Sequence, residues 1–158
     1  GAGLLAGRPI PEIEVELRDH EIFVAGPHVN QGYLDPADDA STKSIRDGTL
    51  WHRTGDAARL DDRGRLWLLG RREAASGGLF PFAVETAALS WLGVRHAALL
   101  AGEGRANLAL AGDALDLPSL QARASKLGDI EVVQLKSIPM DKRHNSKADY
   151  ARLRKMLA

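Results

Sequence analysis

The first 69 residues are punctuated so densely that long elements are excluded. Asp19-His20, Gly26-Pro27, Asp47-Gly48 and Asp61-Asp62-Arg63-Gly64 separate short apolar runs, and turn residues at such intervals join strands. Residues 10–17 alternate, with Ile13, Val15 and Leu17 on one side and Glu12, Glu14 and Glu16 on the other. A period of two predicts a half-buried strand. Residues 21–25 form the returning strand of a hairpin. Asp35-Pro36 starts a turn or short helix running to Ile45. Residues 49–53 and 65–69 are two further strands, the second entered through a turn in which Gly64 supplies the positive φ. The reading is a small, mostly antiparallel β unit.

The pattern changes near Gly70-Arg71. Pro81 suits a first helical turn, and Val84, Ala87, Ala88, Trp91 and Leu92 recur at helical spacing up to Gly93. Residues 94–101 and 106–111 read as a hairpin around Gly102-Glu103-Gly104, residues 117–127 as a helix, 130–138 as a strand and 146–157 as a terminal helix. The fold class is α+β: a small antiparallel β-barrel-like subdomain over residues 1–70, then a small α+β domain over residues 71–158.

Charge narrows the function. The 158 residues carry 21 basic and 21 acidic side chains, which argues against a nucleic-acid partner. Residues 136–158 hold seven basic and two acidic residues, 7 − 2 = +5, so the preceding 135 carry −5. No apolar run reaches the roughly 18 residues of a membrane span, and no membrane span is expected. With no cysteine, disulfides, thiolate metal sites and a cysteine nucleophile are excluded; the composition is compatible with the cytoplasm, the expected location. His20, His28, His52, His96 and His144 lack the spacing of a metal site, and no metal ligand is assigned. Neither G-x-G-x-x-G nor a Walker A loop occurs, and Ser44 and Ser90 lie in no G-x-S-x-G elbow.

Three polar clusters remain. In Trp51-His52-Arg53-Thr54-Gly55-Asp56, Asp56 can present its carboxylate to a diol from a strand-end turn, although an Asx-type turn uses the same residues. In Gly70-Arg71-Arg72-Glu73, two arginines suit a phosphate or ribose edge, or a solvated linker. In Asp141-Lys142-Arg143-His144-Asn145-Ser146-Lys147, Lys147 is a mobile cation or simply a helix-end lysine behind an Asn145 or Ser146 cap. Taken singly, each is more often structural.

Their order is more specific. Gly26-Pro27, Gly32-Tyr33-Leu34, Asp47-Gly48, His52-Arg53-Thr54-Gly55-Asp56, residues 60–66, Gly70-Arg71, and Ile138-Pro139 with Asn145-Ser146-Lys147 follow one another in a series that resembles the C-terminal third of the adenylate-forming superfamily. That superfamily comprises acyl-CoA synthetases, nonribosomal-peptide adenylation domains and luciferases. Trp51-His52-Arg53 and residues 143–147 look most like fatty-acid–CoA-ligase-like enzymes, including olefin-pathway β-lactone synthetases.

The resemblance implies an ATP-dependent acid:AMP ligase. A small carboxylic or fatty acid attacks the α-phosphate of Mg·ATP, giving acyl-adenylate and pyrophosphate. The acyl group then passes to CoA or a carrier-protein thiol, or a β-lactone closes. By position, Asp56 matches the carboxylate that holds the ribose hydroxyls, Arg71 the arginine beside the same ribose, Glu73 the hinge and Lys147 the adenylation lysine. Residues 1–70 correspond to the end of the large adenylating domain and 71–158 to the mobile C-terminal domain. The resemblance also implies a missing N-terminal adenylation domain, from the same gene or a separate subunit, without which the chain is expected to be inactive. Residues 72–80 are shorter than the family's thiol-facing hairpin, which suits a lactone-forming or carrier-specific relative better than an ordinary CoA ligase. The other reading is a catalytically inactive module kept for docking to a partner protein.

Overall fold

The computed structural model describes residues 2–101, 104–141 and 147–157. The chain divides into two units, Leu4–Glu73 and Ala74–Ala158, the latter grouped with Gly1–Gly3.

In the first unit, β1 (Leu4–Gly7), β2 (Glu14–Arg18) and β3 (Glu21–Ala25) precede α1 (Pro36–Thr42), β4 (Lys43–Arg46), β5 (Thr49–Leu60) and β6 (Leu66–Arg71). The strands form one curled antiparallel sheet in the order β1-β6-β5-β3-β2, with β4 also paired to β5. Asp19 (φ 48°) and His20 (φ 66°) make the β2–β3 turn. Both central residues need positive φ, as the right-handed twist of a tight hairpin demands. β2 begins at Glu14 rather than at residue 10, because Pro11 offers no ladder N–H and the Ile13 N–H turns back onto the Ile10 carbonyl.

The helix at Asp35-Pro36 is short. The Asp35 side chain caps it by accepting from the Ala37 N–H. It ends at Thr42, and residues 43–45, expected as its tail, belong to β4 instead. The Asp47-Gly48 turn (φ 50° and 76°) folds β4 onto β5, in register Lys43↔His52 and Arg46↔Thr49. Trp51 is buried, with the guanidiniums of Arg18 and Arg46 5.5 and 5.1 Å from its ring centroid, and Glu16 pairs with both arginines. At the β5–β6 turn, Asp61 accepts from the Arg63 and Arg65 backbone N–H groups, from Arg65 Nε and from the Trp67 indole.

A one-turn 3₁₀ helix (Arg72–Ala74) crosses from the first unit to the second. The second unit contains α2 (Pro81–Ala88), β7 (Val94–Ala101), β8 (Ala106–Gly112), α3 (Leu117–Ala124), β9 (Ile130–Gln134) and α4 (Tyr150–Leu157). Before α2, Ser76 and Leu79 exchange backbone hydrogen bonds around Gly77 and Gly78 (φ 55° and 78°), a two-residue hairpin. The sheet order is β7-β8-β9, antiparallel then parallel. Alternation divides its side chains between two cores. Leu99, Leu108 and Leu110 meet Val84 and Ala88 of α2 and Leu120 and Ala124 of α3. Ala98, Leu100, Ala109 and Ala111 meet Ile138 and Leu153 of α4. The unit is therefore helix, sheet and helix in three layers.

Several elements are shorter than the sequence periodicity predicts. α2 stops at Ala88 and α3 at Ala124, each followed by tighter turns that keep the apolar spacing going. β9 ends at Gln134. The terminal helix starts at Tyr150, where the Asp149 carboxylate accepts from the Arg152 N–H; the expected caps Asn145 and Ser146 lie outside the described residues.

Candidate functional site

Asp56 does not stand at a strand-end turn. It lies inside the 12-residue strand β5, on a bulge. Arg53 pairs with Phe23 and Ala57 with Glu21, so Thr54, Gly55 and Asp56 stand opposite Ile22 alone. The Thr54 hydroxyl donates to the Ile22 carbonyl (2.9 Å) and accepts from the Asp56 N–H (3.1 Å). Gly55 has φ 74°, the left-handed region that favours glycine. The bulge lifts a short segment off the ladder and re-aims its side chains.

The next strand supplies the cation. Asp56 and Arg71 are direct cross-strand partners. Arg71 Nη1 lies 3.4 Å from Asp56 Oδ1 and donates to the Thr54 carbonyl at 3.0 Å. A β-carbon on Gly55 would come within 3.3 Å of that same nitrogen, so the absent side chain gives the guanidinium room. The two side chains stay 47% (Asp56) and 62% (Arg71) exposed, which leaves the carboxylate free to accept further hydrogen bonds. An ionised carboxylate accepts from two hydroxyls at once, the requirement for holding a vicinal diol.

Thr54, Gly55, Arg71, Arg72 and Glu73 also line a 260 Å³ cleft with Arg53 and Glu21. Arg53 Nε pairs with the buried Glu21 carboxylate at 2.7 Å. That carboxylate pushes the Arg53 pKa further up. Arg72 Nη2 pairs with Asp19 at 2.7 Å, and its Nε donates to the Asp19 carbonyl. The Arg72 guanidinium holds the Asp19 carboxyl below its ordinary range. Glu73 is exposed, at the end of the first unit. The sequence reading did not single out Thr54 or Glu21. Thr54 stood beside the Gly-Asp pair as a signal, whereas the partnership of Glu21 with Arg53 spans 32 residues.

Lys147 belongs to the second unit, three residues before α4. Its carbonyl accepts from the Asp141 N–H at 2.8 Å, Met140 and Ala148 form an isolated bridge, and the Asp149 N–H donates to the Pro139 carbonyl at 2.7 Å. The side chain is exposed, and no described residue forms an ion pair with it. The geometry thus brings Asp56 and Arg71 together on one strand pair, sets Glu73 two residues beyond, and carries Lys147 on a separate element. Among the described residues no three His, Asp or Glu side chains gather as a metal site, and no helix is long and apolar enough to cross a membrane.

This α+β architecture matches a C-terminal fragment of the adenylate-forming superfamily. The chain is 32% identical over 152 residues to the olefin beta-lactone synthetase of Stenotrophomonas maltophilia, covering 80% of this chain and 27% of that enzyme. It is 40% identical over 100 residues to 3-[(3aS,4S,7aS)-7a-methyl-1,5-dioxo-octahydro-1H-inden-4-yl]propanoyl:CoA ligase of Rhodococcus jostii, covering 60% of this chain and 19% of that enzyme. Among solved structures, O-succinylbenzoate coenzyme A synthetase (MenE) of Bacillus subtilis, in complex with AMP, superposes with a TM-score of 0.69 at 25% identity. That match covers 87% of this chain and 33% of the enzyme. The chain thus spans about a fifth to a quarter of the length of these curated relatives. No family model matches it.

Proposed function

We propose that the chain is the C-terminal portion of an ATP-dependent acid:AMP ligase. In the complete enzyme an acid carboxylate oxygen bonds to the α-phosphorus of Mg·ATP as the bond to pyrophosphate breaks. The acyl-adenylate then yields its acyl group to CoA or a carrier thiol, or closes to a β-lactone. The observation that carries this reading is the bulge-mounted, cross-strand Asp56–Arg71 pair. Asp56 holds the two ribose hydroxyls of ATP, and Arg71, fixed by the Thr54 carbonyl, lies beside the same ribose. Lys147 supplies positive charge to the bridging and phosphoryl oxygens as negative charge develops, a purely electrostatic contribution that needs no proton transfer. Glu73 is the hinge about which the second unit reorients between the half-reactions, since a hinge is a few residues that absorb a backbone rotation. β-Lactone closure is the favoured second step, supported by the likeness to the olefin beta-lactone synthetase over most of the chain. A module kept only for docking would have no use for a diol-binding pair and an uncommitted lysine together.

The test is a double-mutant cycle on ATP use in the complete ligase. Losing hydrogen bonds to an ionised group costs about 1.5–3 kcal/mol, so Asp56→Ala should raise the KM for ATP about 10- to 100-fold. Arg71→Ala should act in the same direction, and the double variant should fall short of the product because the two groups touch. An unchanged KM for ATP in Asp56→Ala contradicts the proposal.

A further inference from the structure

Outside the site just described, one acid of the second unit is buried among the described residues. Glu85 of α2 is 8% exposed, and its Oε1 accepts from the Leu99 N–H at 2.9 Å and from the Tyr150 hydroxyl at 2.7 Å. These partners belong to different layers. Leu99 lies on β7, the edge strand of the sheet. Tyr150 opens α4, whose Leu153 packs on the opposite face from α2. One carboxylate oxygen at the sheet edge therefore ties the two helical layers together.

Tyr150 also lies three residues beyond Lys147. The intervening backbone is held by the Asp141-to-Lys147 and Asp149-to-Pro139 hydrogen bonds. The Tyr150 hydroxyl is thus the side-chain anchor at the end of the lysine's turn, and the carboxylate that receives it is immobilised by the sheet edge. Burial raises the Glu85 carboxyl above its ordinary pKa, so the position carries a cost that an apolar residue would avoid, as expected of a group kept for its geometry.

We propose that Glu85 is a positioning residue for Lys147, acting through Tyr150. The functional meaning of this strut rests on the adenylation role proposed for Lys147, but the strut can be tested without it. Backbone amide exchange in the 158-residue chain reads the Asp141 and Asp149 N–H groups that hold the turn. Tyr150→Phe keeps the ring and removes the donor. It should speed exchange at those two amides about 5- to 100-fold, the equivalent of one hydrogen bond to a buried acceptor, and leave the β8 amides protected. Glu85→Gln retains an oxygen acceptor for both donors and should stay near wild type. Glu85→Ala should loosen the turn as Tyr150→Phe does and also release the Leu99 N–H. If Tyr150→Phe leaves the two turn amides unchanged, or speeds them no more than those of β8, the strut is wrong. Turn exchange in Glu85→Gln as fast as in Glu85→Ala also overturns it. Nucleotide takes no part in this readout, so its failure and that of the adenylation reading are separable.

Discussion

The two units hold their candidate functional groups in opposite ways. In the first, Asp56 and Arg71 are fixed by strand register, and the carboxylate, the guanidinium and a backbone carbonyl hold one another. In the second, Lys147 has an anchored backbone, while its ammonium pairs with no described residue. The difference suits the two chemical tasks proposed for these groups. A diol must be held before reaction, so its acceptor is best built into a sheet. A cation that answers charge as it develops is most effective when no ground-state partner has neutralised it.

The largest expected effect tests the anchoring of the second unit. Leu153 is 0% exposed, and Leu153→Ala should cost about 2–5 kcal/mol, measured by denaturant unfolding. A loss confined to α4, with the first unit's transition unchanged, would sharpen the contrast; a cost below about 1 kcal/mol would break it. Gly55→Ala attacks the other arrangement. A β-carbon in the left-handed region costs about 1–2 kcal/mol, and here it also crowds Arg71 Nη1. The variant should weaken ATP use in the complete ligase more than its unfolding midpoint suggests. Equal small effects on both would mean that the bulge is only a turn. Glu73→Pro should impair one half-reaction more than the other, because a fixed φ favours one pose; equal loss in both, or none, would count against the hinge.

The smallest effects concern pH, and they too differ in sign between the units. In the first, Arg46 and then Arg18 lower the Glu16 carboxyl to about 2. The Trp67 indole, with Arg65, holds Asp61 far below its ordinary range. Groups depressed in the folded state contribute stability that is present above their unfolded values and lost as pH falls through the folded ones. For Glu16 that window runs from 4.5 down to about 2. Glu85 is raised, chiefly by burial. Its protonated form is favoured by folding, so its contribution is lost as pH rises from its unfolded value, 4.5, through the raised one. Tyr150 stays protonated throughout, since burial and the facing carboxylate push its hydroxyl up. Protection factors across pH should therefore fall on acidification below 4.5 at β5. The unfolding free energy of the second unit should fall on the alkaline side of the same value, a slope that Glu85→Gln removes. The same slope in both units would contradict the contrast.

The sequence made local structure legible and long-range pairing much less so. Asp19-His20, Asp47-Gly48 and the Asp61 turn could be placed because turn chemistry is written in adjacent residues. β5 was read as ending at Arg53, since Thr54-Gly55-Asp56 looks like a turn. Only the opposing Ile22, with its carbonyl bound by Thr54, turns that segment into a bulge within one strand. Residues 43–45 looked like helix tail because the partner that makes them a strand, Leu50–His52, is supplied through the Asp47-Gly48 turn. The terminal helix was started too early because Asp149, a single capping carboxylate, outweighs the helical spacing before it. Asp56, Arg71, Glu73 and Lys147 came into view through the order of their motifs. Glu85 was passed over as one position of an amphipathic helix, since its partners lie 14 and 65 residues away.

The most direct test of the central contrast is Lys147→Ala in the complete ligase, followed through both half-reactions and by thermal unfolding. An exposed substitution should change stability by no more than about 0.5 kcal/mol. Adenylate formation should fall by about 10²–10³, the usual loss for one preorganised electrostatic contact. Acyl transfer or lactone closure from pre-formed acyl-adenylate should be largely spared. If the variant instead melts the second unit while adenylation per folded molecule is undiminished, Lys147 is a helix-end residue and the account is contradicted.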